Sequence, residues 1–167
     1  DGVELTEQSR EFVDFVMQRV GVGEQFRTVN DAFLFFKRRM LLLGPPGSGK
    51  TVSWLVQIRD AIVARLHDQN APIPVIANIQ SWDGTSLVDW LAKYPFTPRN
   101  TKKLIEDGKA ILFIDGLDEL SNNGAASGAH DRYALHRAFM QQLPSNCEVL
   151  VTCRMTDYES IGTRIPL

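Results

Sequence analysis

Residues 41–51 read LLLGPPGSGKT, and this stretch decides the fold. The leucines belong to a continuous apolar run at residues 40–43, which is typical of a strand that is buried on both faces. Apolar residues then recur at helical spacing over residues 51–67. The residues from Gly44 to Thr51 fit the pattern G-x-x-x-x-G-K-S/T at every position, between a predicted strand and a predicted helix. The stretch therefore predicts a loop that binds nucleotide phosphates.

The residue types in this loop explain its chemistry. Glycines let the backbone curl so that successive N–H groups face phosphate oxygens, and the start of the helix presents free N–H groups to the same anion. Lys50 is expected to contact the β- and γ-phosphates, and the Thr51 hydroxyl is expected to bind Mg²⁺. The predicted nucleotide-binding residues are Gly44, Pro45, Pro46, Gly47, Ser48, Gly49, Lys50, Thr51 and Val52.

A second motif, ILFIDGLDEL at residues 111–120, places carboxylates where a buried strand ends. Asp115 directly follows an apolar run, and Mg²⁺ prefers oxygen ligands, so we predict that Asp115 binds Mg²⁺. Glu119, with Asp118 as the close alternative, is the predicted base that orients and deprotonates the attacking water. Asp118 stands where a small GTPase has the glycine of D-x-x-G, and the chain has no N-K-x-D motif and no arginine-rich kinase lid. These observations argue against a GTPase and a nucleoside monophosphate kinase.

A third motif, VLVTCR at residues 149–154, is a predicted strand that ends in an arginine. Arg154 in this position could lie beside the γ-phosphate and stabilise its charge. The alternative is an arginine that simply leaves the edge of the sheet. The residues of this motif leave both interpretations open.

Strands that read as solid apolar runs alternate with helices along the chain, which predicts a parallel sheet covered on both faces. Further strands are predicted at residues 74–79, 110–114 and 148–153. Helices are predicted at residues 5–20, 51–67, 86–94, 97 to about 108, and 133–143, and residues 21–39 read as irregular. The predicted fold class is three-layer α/β in one compact domain, with an N-terminal helix and lead-in at 1–39 and the core at 40–167.

Several packing details follow from the same patterns. Ser86 and Asp89 have the spacing of a capping box at the start of a short helix. The phenylalanines at 33, 35 and 36 are expected in the core. The helix at 51–67 is expected to bury one apolar face that consists of Trp54, Leu55, Ile58, Ile62 and Leu66.

Composition limits the classes of partner. The 167 residues carry a formal net charge of −2, which gives no reason to expect nucleic acid or an anionic membrane as the main partner. No apolar run approaches the roughly 18 residues of a membrane span, and the acidic amino terminus does not resemble a signal peptide. Cys147 and Cys153 are expected to be reduced, because an extended segment would hold them too far apart for a disulfide. We therefore expect a cytoplasmic protein.

The three motifs together resemble the NACHT family of signal-transduction ATPases, which belong to the STAND class of P-loop NTPases. GPPGSGKT corresponds to the family's phosphate loop, ILFIDGLDE to its hhhhDGhDE element, and VTCR to its strand that ends T-S/C-R. The segment at residues 73–94 and the Asp157-Tyr158 pair resemble the bacterial branch of the family. The resemblance covers the chain from about residue 40 to its end.

The resemblance implies a specific arrangement and activity. The strand that ends at Arg154 would lie between the phosphate-loop strand and the Asp115 strand, which would bring Arg154 to the phosphates as sensor 1. It implies binding of ATP or ADP with Mg²⁺, slow hydrolysis, and a switch between an ADP-bound resting form and an ATP-bound form that self-associates. Bacterial members of the family are associated with defence and conditional signalling. Adenine contacts would come from the segment before the loop, where Gly23, Phe26 and Arg27 are candidates.

The sequence leaves two other classes of function open. A motor or loader of the AAA+ type would have an Asp-Glu pair directly at the strand end and an asparagine where Arg154 stands. A pure binding module would hold nucleotide as a structural ligand without useful hydrolysis. Family members continue beyond the position of Leu167 into helical and winged-helix parts, so we expect this chain to be the nucleotide-binding core of a longer protein.

Overall fold

The computed structural model describes residues 26–93, 97–120 and 129–154. The predicted helix at 5–20 and Asp157-Tyr158 lie outside these residues. In chain order the elements are α1 (Val29–Phe35), β1 (Arg39–Gly44), α2 (Lys50–His67), β2 (Ile73–Asn78), α3 (Leu87–Lys93), α4 (Thr101–Glu106), β3 (Ala110–Asp115), α5 (Ala129–Met140) and β4 (Glu148–Arg154). Short 3₁₀ turns follow β2 at Ile79–Ser81 and β3 at Leu117–Glu119.

The four described strands form one sheet in the order β1-β4-β3-β2, and every neighbouring pair is parallel. The central strands β3 and β4 are buried over almost their whole length. Such strands need cover on both faces, which explains why they read as solid apolar runs rather than alternating ones. The predicted α/β class with a parallel sheet and flanking helices is confirmed, and so is the central position of β4 that the family resemblance implied.

Helix α2 corrects one expectation about packing. Trp54 and Ile58 are buried as predicted, and the Trp54 ring meets Phe113 of β3 edge-on at 6.4 Å. Leu55, Ile62 and Leu66 are instead exposed, Leu66 by 78%. Residues 55, 62 and 66 lie about 100° around the helix from the line through 54, 58 and 61 that faces the sheet. An apolar stripe in sequence was therefore wider than the face that the sheet covers.

The segment predicted as irregular before β1 contains helix α1. Its start is set by a capping box, in which the Asp31 amide donates to the Thr28 hydroxyl and the Thr28 amide donates to the Asp31 carboxylate, both at 3.1 Å. Phe33 is buried as expected, whereas Phe35 is half exposed and packs edge-on against Phe36 at 5.2 Å. The expectation of an irregular segment was wrong because its apolar residues cluster instead of repeating along one face.

The short helices have the predicted order with shorter bounds. At α3 the Asp89 amide donates to the Ser86 hydroxyl at 3.2 Å, which is one of the two contacts of the predicted capping box. Helix α4 begins at Thr101 rather than near residue 97. Across the described residues, no helix has both the length and the apolar character that crossing a membrane requires.

Candidate nucleotide-binding site

The phosphate loop connects β1 to α2 and depends on two left-handed glycines. Gly47 has φ 76° and Gly49 has φ 78°, a region that residues with a side chain enter only with strain. A Cβ atom added at Gly47 would meet nothing within 4 Å, so this position needs glycine for its backbone angle rather than for space. The loop closes on itself through the Ser48 amide, which donates to the Pro45 carbonyl at 3.3 Å.

Helix α2 begins at Lys50 without a side-chain cap. Its N-cap residue is Gly49, which has no side-chain oxygen, and its first turn holds no acidic residue. The first amide groups of a helix have no partner inside the helix, and the positive end of the helix dipole lies there. The start of α2 can therefore receive an anion through the amides of the residues from Lys50 onward.

Lys50 folds back over the loop that precedes it. Its Nζ donates to the Gly44 carbonyl at 2.7 Å and to the Pro45 carbonyl at 2.9 Å, and lies 3.5 Å from the Ser48 hydroxyl. Burial lowers the pKa of this ammonium below its ordinary value, and the nearby Arg154 lowers it further, while Asp118 opposes the shift. A charged amine that lacks full compensation is suited to a polyanionic ligand.

Asp115 ends β3 and is held by a residue of the neighbouring strand. The Thr152 hydroxyl donates to Asp115 Oδ1 at 2.5 Å and accepts a bond from the Gly116 amide at 2.9 Å. Thr152 is buried, so this two-sided contact is shielded from water. The carboxylate therefore has a set orientation, with Oδ2 outside the Thr152 contact.

Asp118 contacts Arg154 at two points. Asp118 Oδ1 accepts from the Arg154 amide at 2.9 Å, and Oδ2 accepts from Arg154 Nε at 2.8 Å. The Asp118 side chain is 7% exposed, whereas the Arg154 side chain is 49% exposed. The carboxylate is thus enclosed, whereas about half of the arginine side chain is accessible to solvent.

Glu119 follows Asp115 and Asp118 in sequence, and its carboxylate lies over Gly116. Gly116 has φ 82°, and a Cβ atom added there would stand 2.7 Å from Glu119 Oε2. The turn is closed by the Glu119 amide, which donates to the Gly116 carbonyl at 2.7 Å. Glycine at position 116 therefore supplies both the backbone angle and the space for the Glu119 carboxylate.

The sheet brings these pieces to one edge. The Cα atoms of Gly44 and Arg154 are partners in the β1–β4 register, so Arg154 stands beside the first residue of the phosphate loop. Asp115 ends β3 on the other side of β4. The carboxyl edge of an open parallel sheet is where such folds bind ligands. The predicted residues on both sides of β4 therefore share one region, while Val52, the third residue of α2, is largely exposed to solvent.

Two residues of this edge were missed from the sequence. Thr152 holds Asp115, and Gly116 makes room for Glu119. Neither was a predicted site residue. The available signal was a hydroxyl residue inside the otherwise apolar run VLVTC. Of the adenine candidates, Gly23 lies outside the described residues, and Phe26 packs against Phe35 at 5.0 Å.

A magnesium ion would need ligands beyond the protein. In residues 26–93, 97–120 and 129–154, no group of three or more His, Cys, Asp or Glu side chains is placed to hold a metal. Thr51 and Asp115 would supply two oxygen atoms, and Mg²⁺ normally completes its shell with water and phosphate oxygens. The residues present therefore fit a metal that arrives with a nucleotide.

A parallel α/β sheet with this loop after β1 and a carboxylate at the end of β3 defines a P-loop NTPase. The model of the NACHT domain family matches residues 38–166, and the chain belongs to this family. Comparisons with curated proteins and with solved structures returned no match. The family membership makes this chain a nucleotide-binding NTPase domain.

Proposed function

We propose that the domain binds ATP or ADP with Mg²⁺, hydrolyses ATP slowly, and acts as the nucleotide-dependent switch of a longer signalling protein. The observation that carries this proposal is that Lys50 and Arg154 both lie beside Gly44 at the carboxyl edge of the sheet, next to an uncapped helix start. Two cations and a row of free amides suit a ligand with several phosphates. Family membership supports the same class of ligand.

The loop from Gly44 to Val52 would surround the β- and γ-phosphates. Backbone amides at the start of α2 would receive phosphate oxygens, and Lys50 Nζ would exchange the carbonyls of Gly44 and Pro45 for them. Phosphate oxygens carry more charge than carbonyl oxygens, so this exchange is favourable for an ammonium group. A phosphate loop of this kind binds both ADP and ATP through the phosphates that they share.

Thr51 and Asp115 would hold Mg²⁺ when the nucleotide brings it. The bound ion would neutralise the charge that develops on the phosphates during transfer. Thr152 contributes by fixing Asp115 Oδ1, so that the carboxylate does not need to be ordered at the moment of binding. Asp115 would act directly or through a water molecule.

Glu119 is the proposed base for the attacking water. It follows Gly116 and Asp115 at the strand end, and its carboxylate lies over the backbone at Gly116. A base must reach the water that it deprotonates, and the carboxyl edge is where the γ-phosphate would be. The proposed roles at this edge are therefore Lys50 and Arg154 for charge, Asp115 for the metal and Glu119 for water.

The wider role is proposed from the family resemblance. ADP would hold a resting form, and exchange for ATP would permit self-association of the full-length protein through its NTPase domains. A cytoplasmic protein of the bacterial branch that acts in conditional signalling, innate immunity or antiviral defence fits the motifs of the chain. No direct contact with nucleic acid or membrane is proposed, given the net charge of −2.

Titration of ATP, ADP and GTP against the purified chain, with and without Mg²⁺, tests the proposal. We expect ATP and ADP to bind more tightly than GTP. Lys50→Ala should weaken both adenine nucleotides by about 100-fold, because a charge-assisted contact to phosphate is lost. Lys103→Ala, an exposed lysine on α4, is the matched control and should bind as the parent chain does.

Unchanged affinity in Lys50→Ala would show that the phosphate loop is not the nucleotide site. A preference for GTP would contradict the proposed specificity. Binding without any turnover would leave the domain as a nucleotide-binding module.

A further inference from the structure

We infer that Asp118 is a positioning residue that aims Arg154 at the γ-phosphate, and that it is not the base that activates water. This inference rests on the proposed function, since it assigns a role within the same site. It separates two neighbouring carboxylates that the sequence alone left as alternatives. Asp118 would set how well the domain distinguishes ATP from ADP, and Glu119 would set how fast ATP is hydrolysed.

Both carboxylate oxygens of Asp118 already accept hydrogen bonds from Arg154. Oδ1 accepts from the Arg154 backbone amide at 2.9 Å, and Oδ2 accepts from Arg154 Nε at 2.8 Å. With 7% of the side chain exposed, little surface is left through which a water molecule could approach. A general base needs an oxygen that faces the reacting water, so Asp118 is poorly placed for that role.

The same contact leaves the rest of the guanidinium available. Arginine has five N–H donors in a planar fork, and the Asp118 contact at Nε uses one of them. The side chain of Arg154 is 49% exposed, so a ligand can approach the guanidinium even though the Asp118 carboxylate is enclosed. A pair of terminal N–H groups is the arrangement that binds two oxygens of one phosphate.

The contact between the Arg154 amide and Asp118 fixes the position of the Arg154 backbone. Because the Arg154 amide is bonded to Asp118, the end of β4 is tied to the turn after β3 as well as to β1. On β1 the register partner of Arg154 is Gly44, whose carbonyl receives Lys50 Nζ at 2.7 Å. Arg154 on β4 and Lys50 on α2 therefore share Gly44 of β1 as a neighbour, and Lys50 is the residue that would contact the β- and γ-phosphates. Only ATP has a γ-phosphate, so an aimed Arg154 favours ATP over ADP.

Equilibrium binding separates this role from that of a base, since binding does not require a base. The experiment measures dissociation constants of Mg-ATP and Mg-ADP for the parent chain, Asp118→Asn, Arg154→Gln and the double variant. We expect each single variant to lower the ratio of ATP to ADP affinity by about tenfold, through loss of a bidentate charge-assisted contact. The double variant should be no worse than Arg154→Gln, because both changes remove the same interaction.

Glu119→Gln is the matched control, because it removes the charge of the neighbouring carboxylate without touching the Asp118–Arg154 pair. Its affinity ratio should equal that of the parent chain, while its turnover falls. Arg154→Lys adds a variant that keeps the positive charge but lacks the fork. It should also lower the affinity ratio, and it measures the contribution of the Arg154 fork if Asp118→Asn does not fold.

The outcomes that would overturn the inference are distinct. An unchanged affinity ratio with slower turnover in Asp118→Asn would make Asp118 the base. A raised ratio would mean that Asp118 restrains Arg154, and an equal loss of both nucleotides would indicate a general structural role. If the changes in affinity ratio of the two single variants added up in the double variant, the two residues would act separately. Failure of the parent chain to bind either nucleotide would contradict the proposed function itself. The binding measurement on the parent chain tests this before any variant is compared.

Discussion

The phosphate loop and the edge formed by β3 and β4 bring charge to the same place by different means. Within the loop, Lys50 bonds to residues two to six positions earlier in the chain. At the β3–β4 edge, the contacts of Asp115, Gly116 and Asp118 join residues 36 or 37 positions apart. The loop can take its shape once one strand and one helix form, whereas the edge requires that two distant strands have paired in register. We therefore expect changes at the edge to affect catalysis and folding together, and changes in the loop to affect binding most.

The largest effect is expected from Glu119→Gln. Loss of the proposed base should slow ATP turnover by about 100-fold or more, while the affinity for ATP and ADP stays near that of the parent chain. Steady-state phosphate release together with equilibrium binding makes this measurement. Glu106→Gln, an exposed site on α4, is the control. Equal turnover in Glu119→Gln and the parent chain would remove Glu119 from the mechanism.

Thr152→Val should disturb the β3–β4 edge and leave the phosphate loop unchanged. The change keeps the side-chain shape but removes the hydroxyl that joins the Asp115 carboxylate and the Gly116 amide. Leaving such groups unpaired should lower the free energy of unfolding by about 1–3 kcal/mol. It should also weaken the Mg²⁺ dependence of ATP binding, because Asp115 is no longer oriented.

Thr152→Ser keeps the hydroxyl and should restore most of the lost stability and Mg²⁺ dependence. Denaturant unfolding and nucleotide titrations with and without Mg²⁺ make the comparison. If Thr152→Val were as stable and as Mg²⁺-dependent as Thr152→Ser, the contact would have no role.

Alanine at Gly47 and at Gly116 compares the two regions directly. Both glycines are left-handed, so each substitution should cost about 1–2 kcal/mol of backbone strain. A Cβ at Gly47 meets nothing, whereas a Cβ at Gly116 would push aside the Glu119 carboxylate. Gly116→Ala should therefore slow hydrolysis, whereas Gly47→Ala should lower phosphate affinity without that effect on hydrolysis. Similar turnover in the two variants, at similar loss of stability, would contradict the placement of Glu119.

The smallest effect is expected from thiol labelling of the native chain. Cys147 and Cys153 are both buried thiols, and burial raises the pKa of the Cys147 thiol. A raised pKa lowers the fraction of reactive thiolate near neutral pH, so the folded protein should react slowly with alkylating reagents. Both thiols should react after unfolding in denaturant. Fast labelling of the native protein would mean that the β4 region opens readily.

The sequence alone carried much of this fold because its signals are local. Solid apolar runs identified all four described strands to within a residue or two, and GPPGSGKT identified the phosphate loop. Helix α1 was missed although its capping residues Thr28 and Asp31 were readable, because the apolar spacing in that segment has no single face. The strand order followed from the motifs as a group through the resemblance to a family, and not from any one of them.

The tertiary structure decided what no local pattern contains. It turned α2 so that Trp54 and Ile58 face the sheet while Leu66 does not, because the neighbouring strands cover only part of an apolar helix surface. It placed Thr152 on Asp115 and Asp118 on Arg154, across a pairing of strands that lie far apart in the chain. The sequence by itself determined which chemical groups the site contains. Register between β3 and β4 determined which of them meet, because a contact across strands depends on both partners at once.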